Sequence, residues 1–442
     1  FIFRQAFMTQ ASHQPMGRGF YTIMAAQFFS SLADNALLVA AIELLKASQA
    51  PAWHVAALAP MFALFYVVLA PFVGAIADAY PKGQVMFVSN AIKVIGCLLM
   101  LFGGHPLLAY AIVGLGAAAY SPAKYGILTE LLPASLLVKA NGWIEGLTVA
   151  SIILGILLGG ILIGSQASSY LLSFDLPLLQ TSVDTPAEAA IAVMISIYAI
   201  AAWFNTRIPA TGAQLIAVPK NKFALLPDFW GCNKKLWNDK LGQISLSTTT
   251  LFWGVLGNLR VIVFAWAAVA LGYTTSQAST LVGVIVIGTA IGAVAASMTM
   301  TLDKATRLIP LGIAMGVLML GLNFITHIAI AIPFLILLGG LAGYLVVPMN
   351  ALLQHRGHNL MGAGRSIAVQ NFNEQACILG LGLLYAMGTK LGMTAFGAIA
   401  SFGFLIAGVM WLIKRWHDSN CRNFPAEEAH LIDIATHDGM HD

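Results

Sequence analysis

Three charged side chains stand inside long apolar runs, where a charge is expensive. Asp34 lies 16 residues beyond Arg18, about 24 Å along a helix axis and so near the middle of a bilayer. A charge at that depth costs roughly 2.5–3.5 kcal/mol or more, so Asp34 must face a wet cavity or a partner. Gln27, Ser30, Ser31 and Asp34 recur at i, i+3, i+4 and i+7, which is one polar stripe on one helix face. Arg260 is similarly deep and shares a face with Trp253 and Gly257, whose missing side chain leaves room beside the guanidinium. Lys124 follows Pro122 by two residues, towards one end of its run. Together the three offer one anion and two cations. Arginine grips phosphate bidentately, whereas lysine acts as a point charge. Two chemistries fit: contact with a charged substrate, or a salt bridge between segments that orders a gate.

A second tier of polar residues lies in similar runs: Gln27, Asn35, Glu145, Asn350, Gln370 and Glu374. Glu145 follows Asn141 by about one turn, and Glu374 shares a face with Ser366, Gln370, Asn373 and Cys377. Hydrogen bonding between segments is the plain reading of these groups. A protonatable carboxyl is the sharper one, because desolvation moves a carboxyl towards neutrality. Lys93 is mid-run as well, and pairing with Asp78, a carbonyl or a headgroup is expected of it.

The elements that must hold these residues follow from composition. The 442 residues are 59% hydrophobic and 9% charged, with a mean hydropathy of +0.83. Soluble domains carry about 25% charged residues. A water-soluble surface and a disordered chain are both excluded, and a polytopic membrane protein remains. Twelve apolar runs can be marked, at 19–45, 54–77, 84–103, 106–128, 142–164, 188–208, 245–271, 277–300, 308–330, 332–354, 365–389 and 392–416. They are continuous, so they read as helices; barrel strands would alternate over about 10 residues. Of the 22 Lys and Arg residues, 17 fall in the N-terminal segment, the even-numbered loops and the tail. The positive-inside rule then places both termini in the cytoplasm. The net charge of +4 is a topology signal and gives a nucleic-acid partner no support. No cleavable leader is expected, and residues 1–7 precede a candidate start at Met8. Cys97, Cys232, Cys377 and Cys421 are expected as free thiols.

The two halves match at a nearly constant offset. Phe28-Phe29…Asp34 aligns with Phe252-Trp253…Asn258 at 224, and Asp78…Lys82 with Asp303…Arg307 at 225. Tyr120…Pro122-Ala-Lys124 aligns with Val346…Pro348-Met-Asn350 at 226, and Glu145 with Glu374 at 229. An even number of spans per half gives both repeats one orientation, the parallel six-helix repeat of the major facilitator architecture. The expected division is an N-terminal segment to 18, a bundle over 19–208, a linker over 209–244, a second bundle over 245–416 and a tail over 417–442. The linker holds five lysines with Trp230 and Trp237, which suits a surface helix on anionic lipid.

The loop Gly74-Ala-Ile-Ala-Asp78-Ala-Tyr-Pro-Lys82 resembles the superfamily signature G-x-x-x-D-R-x-G-R-R, with Ala79, Pro81 and Gly83 as departures. Gly74, Asp78, Lys82, Asp303 and Arg307 are therefore expected as a conformational latch, Gly74 by allowing close helix approach. Other stretches are narrower. They include Ala26-Gln27-Phe28…Asp34-Asn35-Ala36, Gly114…Tyr120-Ser121-Pro122-Ala-Lys124-Tyr125-Gly126, Leu259-Arg260, Pro348-Met-Asn350 and Ala368-Val369-Gln370-Asn371. Over about residues 18 to 416 the chain resembles the bacterial lysophospholipid transporter family of the major facilitator superfamily.

That resemblance implies an inner-membrane flippase. It would move lysophosphatidylethanolamine and lysophosphatidylglycerol from the outer to the inner leaflet. A cytoplasmic acyltransferase and acyl carrier protein synthetase would then re-acylate them. In this superfamily spans 1, 4, 7 and 10 line the cavity, which puts Asp34, Lys124 and Arg260 on its wall. Asp34 would meet a headgroup ammonium, or pair with Arg260 when substrate is absent. Phe28, Phe29, Tyr120, Trp253 and Tyr344 are candidates to line the acyl-chain route. No cofactor or metal is expected. His437…Asp442 fits the acyltransferase pattern H-x4-D, but it is the last six residues of the chain, and G-x-S-x-G, H-E-x-x-H and P-loop patterns are lacking. A proton-coupled exporter of amphiphiles and a non-transporting scaffold are the competing readings.

Overall fold

The computed structural model describes residues 17–131, 134–173, 184–209, 211–212, 215, 221–361 and 363–438. Every regular element among them is helical. Twelve long helices carry the fold. They are α1 (Arg18–Ala47), α2 (Leu58–Ala79), α3 (Lys82–Leu101), α4 (Pro106–Leu131), α5 (Ala134–Ile163), α6 (Pro186–Thr206), α7 (Lys240–Ala270), α8 (Thr275–Thr299), α9 (Ile309–Leu320), α10 (Ile328–Met361), α11 (Ala363–Lys390) and α12 (Ala395–Asn423). Eleven helical segments are long and apolar enough to cross a membrane. Helix α11 has the length but not the apolarity, because Ser366, Gln370, Asn371, Asn373, Glu374 and Gln375 crowd its first half.

Boundaries shift where local chemistry overrides hydropathy. The ninth and tenth runs were expected to part near residue 331. The chain instead breaks after Phe324, and α10 starts at Ile328. Asn323, Thr326 and His327 supply the polar groups that such a turn exposes. Helix α7 starts at Lys240, earlier than the apolar run, because Asp239 caps it by accepting from the Gly242 N–H at 2.7 Å.

Packing repeats the sequence symmetry. In the first half α1 packs on α5 and α6, α2 on α4, and α3 on α6. In the second half α7 packs on α11 and α12, α8 on α10, and α9 on α12. Each pairing maps onto its counterpart by a shift of six helices. Two seams join the halves, α2 on α11 and α5 on α8, and the same shift exchanges them. Cross-half hydrogen bonds tie the ends remote from the linker: Lys46 Nζ donates to Thr275 Oγ1 at 2.9 Å, and Ser276 Oγ to the Gly160 carbonyl at 2.7 Å. We call this the far face.

The glycines of α5 serve two neighbours. A Cβ on Gly159 would sit 2.7 Å from the Ala36 carbonyl of α1, and one on Gly160 would overlap Ser279 of α8. Gly160→Ala should therefore push the α5–α8 seam apart at the far face. We expect faster modification of an engineered far-face cysteine at residue 276 than in a Gly160 background, with little change at the α1 contact.

The linker is anchored by packing. Its helix Leu225–Asn238 buries Phe229, Cys232, Asn233 and Leu236. Phe229 meets Phe372 of α11 edge-on at 5.3 Å, and the cluster includes Leu353 of α10 and Ala70 of α2. One face of the expected surface helix is thus protein-bound, while Trp230 and Phe223 stay exposed. Asp239, after this helix, also takes a bidentate grip from Arg356 of α10 at 3.1 and 2.7 Å, both side chains being nearly buried. Asp239→Ala strands that guanidinium and removes the α7 cap, a loss of about 3–5 kcal/mol. Thermal unfolding in detergent should show it, and Asp239→Asn, which keeps the cap, should lose less.

Candidate functional site

The polar stripe of α1 faces into its own half. Lys93 of α3 donates to Asp34 Oδ2 at 2.7 Å and to Ser30 Oγ at 2.9 Å. Tyr198 of α6 donates its hydroxyl to Asp34 Oδ1 at 2.7 Å, and Ser30 donates to Asn90 of α3 at 2.7 Å. Lys93 is 1% exposed. Its ammonium also lies over the rings of Tyr120 and Tyr198, at 5.1 and 5.5 Å. One buried cation is thus held by a carboxylate, a hydroxyl and two aromatic faces. This arrangement compensates for the desolvation that would otherwise expel it.

The expected Asp34–Arg260 pair is not formed. Arg260 of α7 instead donates to Oδ1 of Asn35, the next residue, at 3.2 Å. Helix geometry explains the exchange: consecutive side chains diverge by about 100°. Asp34 therefore points into the first bundle while Asn35 points across the seam. Asn35 is held by its own amide, which donates to the Ser31 carbonyl at 2.8 Å. Among the described residues no carboxylate pairs with Arg260, and its Nε is buried without a hydrogen-bond partner. Two residues earlier on α7, Asn258, the repeat counterpart of Asp34, donates to the Gly254 and Ile378 carbonyls at 2.8 and 3.1 Å.

Lys124 holds its ammonium 4.3 Å over the neighbouring Tyr125 ring. The secondary candidates form two groups. Gln27 donates to Thr148 of α5 at 3.2 Å. In the second half Gln370 donates to Asn350 of α10 and to Glu374 at 2.9 Å, so these three meet as one cluster. The side chain of Glu145 lies outside the described residues.

The aromatic candidates are scattered. Tyr120 is buried beside Lys93, and its hydroxyl lacks a hydrogen-bond partner. Phe28 touches Phe29, which stacks on Phe204 of α6 at 5.9 Å. Trp253 packs edge-on to Phe252 at 5.1 Å, and Tyr344 shares a 2.8 Å hydrogen bond with Thr299 of α8. An apolar cavity of about 450 Å³ lies elsewhere, between α7, α11 and α12, with Leu251, Leu381, Leu405 and Val409 in its wall. Trp237 and Trp416, stacked at 6.4 Å, edge it.

Among the described residues no ion pair joins Lys82, Asp303 and Arg307 to one another. A Cβ on Gly74 would meet nothing within 4 Å, so the close helix approach expected there is not made. Lys82 pairs with Glu130 of α4 at 3.0 Å and donates to the Ala77 carbonyl at 2.7 Å. Asp303 and Arg307 form no ion pair among the described residues. The side chain of Asp78 lies outside the described residues.

Three residues of the central network were not among the site candidates: Asn90, Lys93 and Tyr198. Lys93 carried a legible signal. Ser89, Asn90 and Lys93 share a face, and Asn90 and Lys93 reach Ser30 and Asp34 at matching helical spacing. Tyr198 carried none, since a tyrosine in an apolar helix reads as packing.

The sequence comparison decides the family. A profile of the Major Facilitator Superfamily matches residues 23–375. The lysophospholipid transporter LplT of Yersinia pestis (strain Pestoides F) is 40% identical over 378 residues, which is 85% of this chain and 88% of the relative. This chain belongs to the lysophospholipid transporter family of the Major Facilitator Superfamily. Its fold also resembles solved structures of distant sequence. The nucleoside transporter NupG aligns with a TM-score of 0.66 at 11% identity, covering 91% of this chain and 99% of that one. A bacterial homologue of the human lysosomal transporter Spinster, inward-facing and unoccupied, aligns at 0.58 and 15% identity, covering 94% of each. As a superfamily member the chain is a multi-pass membrane protein of the transporter class, and its relatives are not enzymes.

Proposed function

We propose that this protein carries lysophospholipids across a bacterial inner membrane, from the outer leaflet to the inner, with both termini in the cytoplasm. The observation that supports a lipid phosphate as ligand is Arg260. It is a guanidinium within a span, bound only through a neutral amide among the described residues, with a buried N–H left over. An arriving phosphate offers that donor set the charged acceptor it lacks. In this reading Asn35 is a placeholder that substrate displaces. The Asp34–Lys93–Tyr198 network holds α1 in register, and Asp34 would meet a headgroup ammonium by exchanging it for Lys93. Lys124 and the Asn350–Gln370–Glu374 cluster are candidate later contacts along the path. Lysophosphatidylethanolamine and lysophosphatidylglycerol are the proposed cargo, delivered to a cytoplasmic acyltransferase. Phe28, Trp253 and the cavity edged by Trp237 and Trp416 are proposed to shelter the acyl chain.

The test is uptake of externally added labelled lysolipid by spheroplasts that lack their own carrier. Wild-type protein should give re-acylated product, and diacyl lipid should not compete. Equal transport of diacyl phospholipid, or uptake that needs a proton gradient and accepts unrelated amphiphilic cations, would instead favour a drug exporter.

A further inference from the structure

The tail carries a trio that transport does not use. His417 and Cys421 sit one turn apart on the extension of α12, and Glu428 comes from the helix Pro425–Asp438 that follows. His417 Nδ1 is 3.0 Å from Glu428 Oε1 and 3.9 Å from Cys421 Sγ. One ligand atom from each residue lies within 4.8 Å of the others. Glu428 is 3% exposed, and its carboxylate faces the His417 ring.

We propose that these three side chains form a zinc site that staples the tail helix to α12. The donor set is imidazole, thiolate and carboxylate, which zinc accepts at about 2.0–2.3 Å in tetrahedral order. Tetrahedral geometry at those lengths puts nitrogen and sulfur about 3.5 Å apart, and nitrogen and oxygen about 3.3 Å. Measured from the one nitrogen Nδ1, the observed 3.9 and 3.0 Å depart from these by a few tenths of an ångström, a side-chain adjustment. The buried carboxylate is the second observation. A carboxylate removed from water is costly unless a cation or donors serve it, and the groups that face this one are the His417 ring and the Cys421 thiol, the other two ligands of the trio. Histidine and cysteine at i and i+4 present both ligands on one face, towards the helix that carries Glu428. Binding releases the Cys421 proton to solvent, and water fills the fourth position. The same helix buries Leu431 in the core and touches the turn Leu302–Leu308, so the staple fixes a segment that abuts the loop between α8 and α9.

The full chain, purified in detergent without a histidine tag, should retain about one zinc per molecule by mass spectrometry of the metal after gel filtration. Cys421→Ser and Glu428→Gln should each fall to background. Zinc should slow maleimide labelling of Cys421 at least tenfold, read by peptide mass spectrometry, and a chelator should restore it. Glu428→Gln keeps the size of the side chain, so lost protection there reports ligation rather than unfolding. Zinc that is retained equally by both variants, or Cys421 labelling indifferent to zinc, would overturn the site.

Discussion

Lys93→Ala is expected to cost about 3–5 kcal/mol of folded-state stability, because it leaves Asp34 in the membrane without its cation. The structure concentrates the penalty. Asp34 has two close donors, Lys93 at 2.7 Å and Tyr198 at 2.7 Å, and only the first carries charge. The loss should appear as a drop of the detergent melting midpoint and as poor yield. Asp34→Ala is expected to be at least as harmful, since it strands a lysine that is 1% exposed. The informative variant is the pair. Asp34→Ala combined with Lys93→Met removes both charges and should recover most of the stability lost in either single variant. If the pair is purely structural, the double variant will also transport. If Asp34 meets the headgroup, it will fold and fail to transport. A double variant no more stable than the singles would show that the ion pair is not the organising contact.

Arg260→Ala should behave in the opposite way, folding well and failing at transport. Among the described residues its contact is a single hydrogen bond to a neutral amide, worth about 0.5–1.5 kcal/mol net. Its contact with a lipid phosphate would be charge-assisted, and losing 1.5–3 kcal/mol there lowers uptake by about 10–100-fold. Arg260→Lys should recover part of the rate for an anionic headgroup, as it restores charge but not the bidentate fork. Normal uptake by a correctly inserted Arg260→Ala protein would remove Arg260 from the substrate path and leave it as a seam contact.

What could be read from sequence depended on the range of the information. Helices were legible because a membrane span needs a long apolar run, and the repeat was legible because residue types recur at one offset. Helix α11 is marked as well, at 365–389, although its first half is polar; that half meets Asn350 and Asn233 of the linker helix, contacts no window average contains. At the centre, Asp34 and Arg260 were recognisable by depth alone. Their partners were not, because a one-residue step along α1 decides whether a side chain faces its own bundle or the other. Asp34 and Asn35 differ by that step. The same holds for Gly74, where a motif promises a close approach that depends on which conformation the halves adopt.

The pairing of Lys93 with Asp34 has an electrical consequence. Those two charges cancel, so Arg260 sits deep in the protein with its charge unmatched by any described carboxylate. A unit charge that crosses the whole membrane exchanges about 2.3 kcal/mol with the field per 100 mV. If rocking of the halves carries Arg260 through even a third of that field, a normal bacterial potential biases which way the carrier faces by a kilocalorie or so. Loading an anionic phosphate onto Arg260 would cancel the bias, so the empty carrier should feel voltage and the loaded one should not. Uptake in vesicles clamped with a potassium gradient and an ionophore would then depend on voltage in the return step, and Arg260→Gln would abolish that dependence.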